Sequence, residues 1–286
     1  MAVKKAKNIR GAWNTVNIKA FTNQVPQHYI DAFEALILKD PLVKLQGNRH
    51  ISIEGYDYVG NKNYPSIIVL RLCAYDIMDP EAFYNIREKK QVFVDISPDI
   101  VSNKKSAELF FVPDVHRFMM LQSSKISTKQ VARYFNEGFM AAGHGGEFDV
   151  NIEVSQELIE TIEKSYQIHS LEATLSYSNH DHSSDGFVKF FDNKSNEAKA
   201  DKMFIRLVAG IGESLRFVKD GLVEAVLHLV KSNGTAKARI RKEEGDSLIT
   251  VNTNEHPEIV HLQGSQDEVE NAVRNHLLNA YGQKDN

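Results

Sequence analysis

Apolar residues along the chain follow two spacings, and each spacing predicts one kind of secondary structure. In residues 13–21 and 148–154 they alternate with polar residues, which is typical of a strand with one buried face. Strands are also predicted over residues 50–58 and 66–74, joined by the turn-forming residues 60–63 (GNKN). The first half of the chain is therefore predicted to be mostly β-structure.

Helices are indicated by apolar residues at helical spacing and by capping residues. Residues 26–39 place their apolar side chains on one helical face. Ser127 and Gln130 have the spacing of a capping box, in which each side chain bonds the other residue's backbone amide. Ser265 and Glu268 repeat that spacing near the end of the sequence. A helix is therefore predicted to begin at each of these places.

The second half of the chain mixes both patterns. A strand over residues 148–154, a helix capped by Ser155 and a strand over residues 171–177 follow one another. A right-handed crossover predicts that these two strands pair in parallel. Further elements are predicted over residues 203–208, 222–231, 235–241 and 248–251. The predicted fold class is α+β, with one or more mixed, mainly antiparallel sheets and packed helices.

One polar segment, residues 192–201 (DNKSNEAKAD), suggests a seam between two halves. The predicted organisation is a basic tail over residues 1–12, an N-terminal α+β domain over residues 13–192 and a C-terminal α+β subdomain over residues 200–286. The alternative is that the last two form one continuous fold.

Composition and charge set limits on the class of protein. Apolar residues make up 42% and charged residues 25%, the balance of an ordinary globular protein. The net charge of -4 provides no overall attraction to nucleic acid or to an anionic membrane. Cys73 is the only cysteine, so a disulfide within the chain is excluded. The N-terminus lacks the apolar stretch of a signal peptide, and we expect a cytoplasmic protein without a membrane partner.

Residues 176–186 (SYSNHDHSSDG) are the densest group of potential metal ligands. If the preceding strand continued, His180 and His182 would project from one face, and Asp185, His144 or His116 would supply a third ligand. A divalent metal held there would support a metal-dependent phosphoesterase or nuclease. The alternative is a solvated turn without a cofactor, and the Asn, Ser, Asp and Gly content favours the turn.

Two further groups of residues have features of a phosphate-binding site, and the second of them is rejected. His116 and Arg117 follow a predicted strand beside Asp114, although His116 could equally bond a loop carbonyl while Arg117 lies on the surface. Gly210 and Gly212 begin a dinucleotide-binding pattern, but its third glycine is missing. Neither GxSxG, nor a P-loop, nor HExxH occurs, so the sequence leaves open whether the protein is an enzyme.

Basic residues alternate with apolar ones over residues 235–241. Lys237, Arg239 and Arg241 would therefore lie on one face of a strand, as in a surface that contacts nucleic-acid phosphates. The basic residues at positions 4, 5, 7 and 10 could extend this surface. The alternative, which we favour at this point, is the solvated outer face of an amphipathic strand.

Four segments taken in order resemble an uncharacterised bacterial family described only as a domain of unknown function. They are ELFFVPDVHRF, the capped helix after SSKIST, NIEVSQELIETIEKSYQIHSLEATLSYSNHD and DGLVEAVLHLVKSNGTAKARIRKEEGD. The resemblance implies a bacterial cytoplasmic protein, with phage defence or a toxin-antitoxin locus as its setting. It carries no catalytic residue over to this chain.

The leading hypothesis is a binding or accessory protein that acts through a protein partner, through self-association or through nucleic acid. Unpaired edge strands of the predicted sheet would allow a homo-oligomer by sheet extension. The alternative is the metal-dependent phosphoesterase or nuclease with His180 and His182.

Overall fold

The computed structural model describes residues 9–21, 23–122, 125–176, 194, 197–198, 200, 202–219 and 221–282. The helices are α1 (Pro26–Lys39), α2 (Thr128–Phe139), α3 (Gln156–Glu163), α4 (Leu222–Asn233) and α5 (Gln266–Tyr281). The strands are β1 (Ile9–Ala20), β2 (Val43–Lys44), β3 (Arg49–Asn61), β4 (Tyr64–Ile77), β5 (Phe83–Asn85), β6 (Lys90–Val92), β7 (Val101–Val112), β8 (Arg117–Leu121), β9 (Phe148–Ile152), β10 (Gln167–Ser176), β11 (Lys202–Val208), β12 (Gly234–Arg241), β13 (Ile249–Asn252) and β14 (Ile259–Gly264).

The first sheet is antiparallel and has the order β14-β1-β8-β7-β4-β3-β2, with β9 also paired to β1. One edge of β1 pairs with β8. The other edge is shared, because β14 pairs with its first half and β9 with its second half. The two partners meet at Thr15, whose carbonyl oxygen accepts a hydrogen bond from the Glu153 amide at 3.0 Å.

Helices cover this sheet on both faces because its strands alternate apolar residues toward each side. On one face, α1 and α2 pack against Val16, Ile18 and their neighbours. On the other face, α5 packs its buried Val269, Val273 and Leu277 against residues that include Trp13. The result is a three-layer arrangement with the sheet in the middle.

The second sheet has the order β11-β10-β12-β13 and is also antiparallel. Helices α3 and α4 share its core, which includes Ile159, Val226, Leu171 and Ile240. The predicted parallel pairing of residues 148–154 with residues 171–177 is wrong. Strand β9 pairs with β1 in the first sheet, whereas β10 lies between β11 and β12 in the second. The crossover rule applies only to two strands of the same sheet, so it does not apply here.

The α+β class and its mainly antiparallel pairing are confirmed. The helix predicted over residues 26–39 has those bounds, and both capping boxes are formed. The division between residues 192 and 200 stays a prediction of domain organisation, and strands of the second sheet lie on both sides of it. Within the part of the chain that the structure describes, no helix is long and apolar enough to cross a membrane.

Helix α4 runs directly into β12 at Gly234, and this junction needs a glycine for reasons of space. Its φ of 171° is extended backbone, so the left-handed cap that closes many helices is absent at this glycine. A Cβ atom at residue 234 would overlap the carbonyl oxygen of Thr174 on the neighbouring strand β10. Gly234 therefore allows β12 to pair closely with β10 immediately after the helix.

We expect Gly234→Ala to lower the free energy of unfolding by about 1–3 kcal/mol, because the added methyl group must push β12 away from β10. Chemical denaturation measures the effect. Gly210→Ala is the matched control, since a Cβ atom there meets only the side chain of Glu213 at ordinary contact distance. Equal stability of Gly234→Ala and the wild type would contradict the overlap.

Candidate nucleic-acid interface

The second sheet has one face that no helix covers among the described residues. Its inner face carries the apolar residues that pack on α3 and α4, whereas alternate positions of each strand point outward. The strand register aligns these outward positions into rows across the sheet. The rows are Phe204, Thr174 and Thr235, then Arg206, Glu172, Lys237 and Asn252, then Val208, Ser170, Arg239 and Thr250. We call these residues, together with Lys202, the open face.

Positive charge predominates on the open face. Lys237 and Arg239 are exposed, as the alternation along residues 235–241 predicts. Strand β11 adds Lys202 and Arg206, whose side chains are 59% and 63% exposed. Glu172 is the single carboxylate in these rows, and its Oε1 lies 3.0 Å from Nε of Arg206. The face therefore concentrates cations in a chain whose net charge is -4.

Two features limit the open face. Arg241, at the end of β12, is half-buried and therefore less exposed than Lys237 and Arg239. It lies next to a turn that contains the acidic residues Glu243, Glu244 and Asp246. At the opposite end, Nζ of Lys202 lies 3.5 Å from Oδ1 of Asp149 in β9. The cationic area thus spans the middle of the second sheet, and its Lys202 end contacts β9 of the first sheet.

Apolar side chains also lie on the open face. Phe204 is 66% exposed and Val208 is 54% exposed, both on strand β11. Met203, Ile205 and Leu207 on the same strand pack against the inner core, so Phe204 occupies an outward position that is normally polar. A large exposed aromatic ring beside Arg206 is suited to stacking with a planar group.

Arg117, predicted either to face phosphate or to lie on the surface, is fully buried. Its Nε donates a hydrogen bond to Oε1 of Glu153 at 2.9 Å, and Nη1 donates to the carbonyl oxygen of Val115 at 2.8 Å. The guanidinium carbon lies 3.9 Å from the centre of the Tyr281 ring. The surface alternative is wrong, and a phosphate would have to compete with a buried carboxylate that already neutralises the guanidinium.

Tyr281 ties the end of α5 to this buried pair. Its hydroxyl donates to Oε2 of Glu258 at 2.6 Å, and the Glu258 amide donates to the carbonyl oxygen of Glu153 at 2.8 Å. Burial raises the pKa of the Tyr281 hydroxyl, and the Glu153 and Glu258 carboxylates raise it further. The hydroxyl therefore stays protonated and able to donate.

His116 is buried beside Arg117 and has a structural environment. Its ring stacks on Tyr29 with centroids 4.1 Å apart, and its carbonyl oxygen accepts from the Ile18 amide at 2.8 Å. Its backbone is left-handed, with φ of 57°, which turns the chain into β8. The phosphate-facing role of His116 and Arg117 stays a prediction. Both side chains are buried, so neither presents a surface to a phosphate in solution.

The predicted metal ligands His180, His182 and Asp185 lie outside the described residues, so the metal site stays a prediction. Of the third ligands considered, His144 contacts Glu147, with Nδ1 and Oε2 2.9 Å apart. Across the part of the chain that is described, no group of at least three His, Cys, Asp or Glu residues is arranged to hold a metal ion.

Sequence reasoning identified Lys237, Arg239 and Arg241 but missed the contributions of β10 and β11. Lys202, Phe204, Arg206 and Glu172 reach the open face only because β11 and β12 flank β10. The sequence contained a signal for β11, because Phe204 is an apolar residue at a position of the alternating strand where a polar residue is expected.

A scan against protein-family models matches residues 11–279 to "Domain of unknown function (DUF4747)". The chain belongs to this family. The match includes the open face and the buried pair of Arg117 and Glu153, and it confirms the resemblance to a family without an assigned function. A search of curated proteins gives no match for this DUF4747 member.

For this DUF4747 member, we expect Arg117→Met and Glu153→Leu each to lower the free energy of unfolding by about 3–5 kcal/mol, because each removes the oppositely charged neighbour of a buried charge. The double variant should lose less than the sum of the two single losses, since it leaves neither charge. Urea denaturation of all four proteins provides this cycle. Additive losses would show that the two side chains do not stabilise each other.

Proposed function

We propose that this protein binds nucleic acid through the open face of its second sheet. The observation that carries the proposal is the segregation of Lys202, Arg206, Lys237 and Arg239 onto one face that none of the described helices covers, in a chain with a net charge of -4. Phosphate groups are the anions that such a row of cations attracts, and release of their counterions favours binding. The exposed ring of Phe204 lies among these cations, where it can contact a base.

A purely solvated face would explain the lysines and arginines but gives no reason for the apolar side chains. Phe204 and Val208 flank Arg206 along β11, and both are more than half exposed. Exposed apolar surface on a face with an excess of cations over carboxylates is typical of an interface with a partner that is both anionic and planar. The proposed setting in bacterial defence rests on the family resemblance alone.

We expect the double variant Lys237→Glu/Arg239→Glu to bind a fluorescein-labelled single-stranded oligonucleotide at least about tenfold more weakly than the wild type, because two phosphate contacts become repulsive. Fluorescence anisotropy at several salt concentrations measures the affinity. The logarithm of the wild-type affinity should fall more steeply with the logarithm of salt concentration than that of the variant.

The matched control is Lys44→Glu/Lys62→Glu, which changes the net charge equally at exposed positions of β2 and of the turn between β3 and β4. It should bind like the wild type, and thermal melting should show that both double variants fold. Absence of wild-type binding, or equal losses in the two double variants, would overturn the proposal. Binding to vesicles of phosphatidylserine but not to the oligonucleotide would instead identify an anionic lipid surface as the partner.

A further inference from the structure

Phe204 and Glu172 are diagonal neighbours on the open face. Phe204 lies opposite Thr174, and Glu172 precedes Thr174 by two positions on β10. Diagonal neighbours of this kind have Cα atoms about 7–8 Å apart, within the span of an aromatic ring and the side chain beside it. A planar group stacked on Phe204 would therefore have its edge near the Glu172 carboxylate.

Glu172 lies between basic residues of the two neighbouring strands. Arg206 contacts Oε1 from β11, and Lys237 is its register partner on β12. Its side chain is 35% exposed, so the carboxylate is open to a ligand above the sheet. Carboxylate oxygens accept hydrogen bonds, so an amino group of a base can donate to Glu172.

We propose that the open face binds single-stranded nucleic acid by stacking one base on Phe204, while the Glu172 carboxylate accepts a hydrogen bond from the exocyclic amino group of that base. Cytosine is therefore preferred to thymine or uracil. This inference rests on the proposed function. It adds a specificity-determining residue, Glu172, to a surface that otherwise contacts phosphates.

The preference follows from the donors and acceptors on the pyrimidine edge. Cytosine presents an amino group at N4, which donates to a carboxylate, whereas thymine presents the O4 acceptor at the same place. Two acceptors facing each other repel, so thymine must turn away or lose the stack. A duplex cannot place a base on Phe204 in this way, because its bases are stacked on each other.

The experiment measures wild-type affinities for labelled dC12, dT12 and a twelve-base-pair duplex under one set of salt conditions. We expect dC12 to bind about fivefold more tightly than dT12, the effect of one solvent-exposed hydrogen bond to a charged group. The duplex should bind more weakly than dC12. The same order should hold for rC12 and rU12, since the contact does not involve the sugar.

Two variants test the assigned side chains. Glu172→Gln should bring the dC12 and dT12 affinities close together and raise the dT12 affinity, because the neutral amide both donates and accepts. Glu243→Gln is its matched control, since it removes the same charge from the exposed turn after β12. This control should raise both affinities alike and leave their ratio unchanged. Phe204→Leu should weaken binding of both oligonucleotides about fivefold or more by removing the stack.

The outcomes separate the two proposals. If the wild type binds none of the oligonucleotides, the proposed function fails. If it binds dC12 and dT12 equally and loses both in Lys237→Glu/Arg239→Glu, the proposed function stands and the base preference is overturned. Tighter binding of the duplex than of dC12 would also overturn it. Loss of the wild-type preference in Glu172→Gln but not in Glu243→Gln would assign the preference to Glu172, and a preference that persists in folded Glu172→Gln would overturn that assignment.

Discussion

The pairing of β1 on both edges is the constraint on which the rest of the structure depends. One edge pairs with β8, and β9 and β14 share the other, meeting at Thr15. This shared edge brings residues 148–152 and 259–264 into one line, although more than a hundred residues separate them in the chain. The buried pair of Arg117 and Glu153 lies at the same meeting point and connects β8 to it.

This arrangement also positions the second sheet. The Val154 amide, just after β9, donates to the carbonyl oxygen of Lys231 near the end of α4 at 3.0 Å. Helices α3 and α4 cover the face of the second sheet on which the apolar residues of its strands lie. The cations, Glu172 and Phe204 lie on the opposite face. The proposed interface is therefore the face that the packing of α3 and α4 leaves open.

Local features of the sequence predicted much of the secondary structure and part of the interface. The bounds of α1, both capping boxes and the outward placement of Lys237 and Arg239 followed from spacing within a few residues. Strand β14 was missed, because Val260 and Leu262 are the only apolar residues on its core-facing side and the segment is short. The burial of Arg117 was also missed, since its partner Glu153 is 36 positions away.

The sequence by itself determined the helices with clear caps, the strands with clear alternation and which side of β12 is basic, because alternation and capping are set by residues close together in the chain. Only the tertiary structure decided that β9 pairs with β1, that Arg117 is an interior residue and that Phe204 and Glu172 are neighbours. Those relationships depend on which distant strands meet and in which register. A shift of one residue in that register would turn every side chain of a strand to the other face.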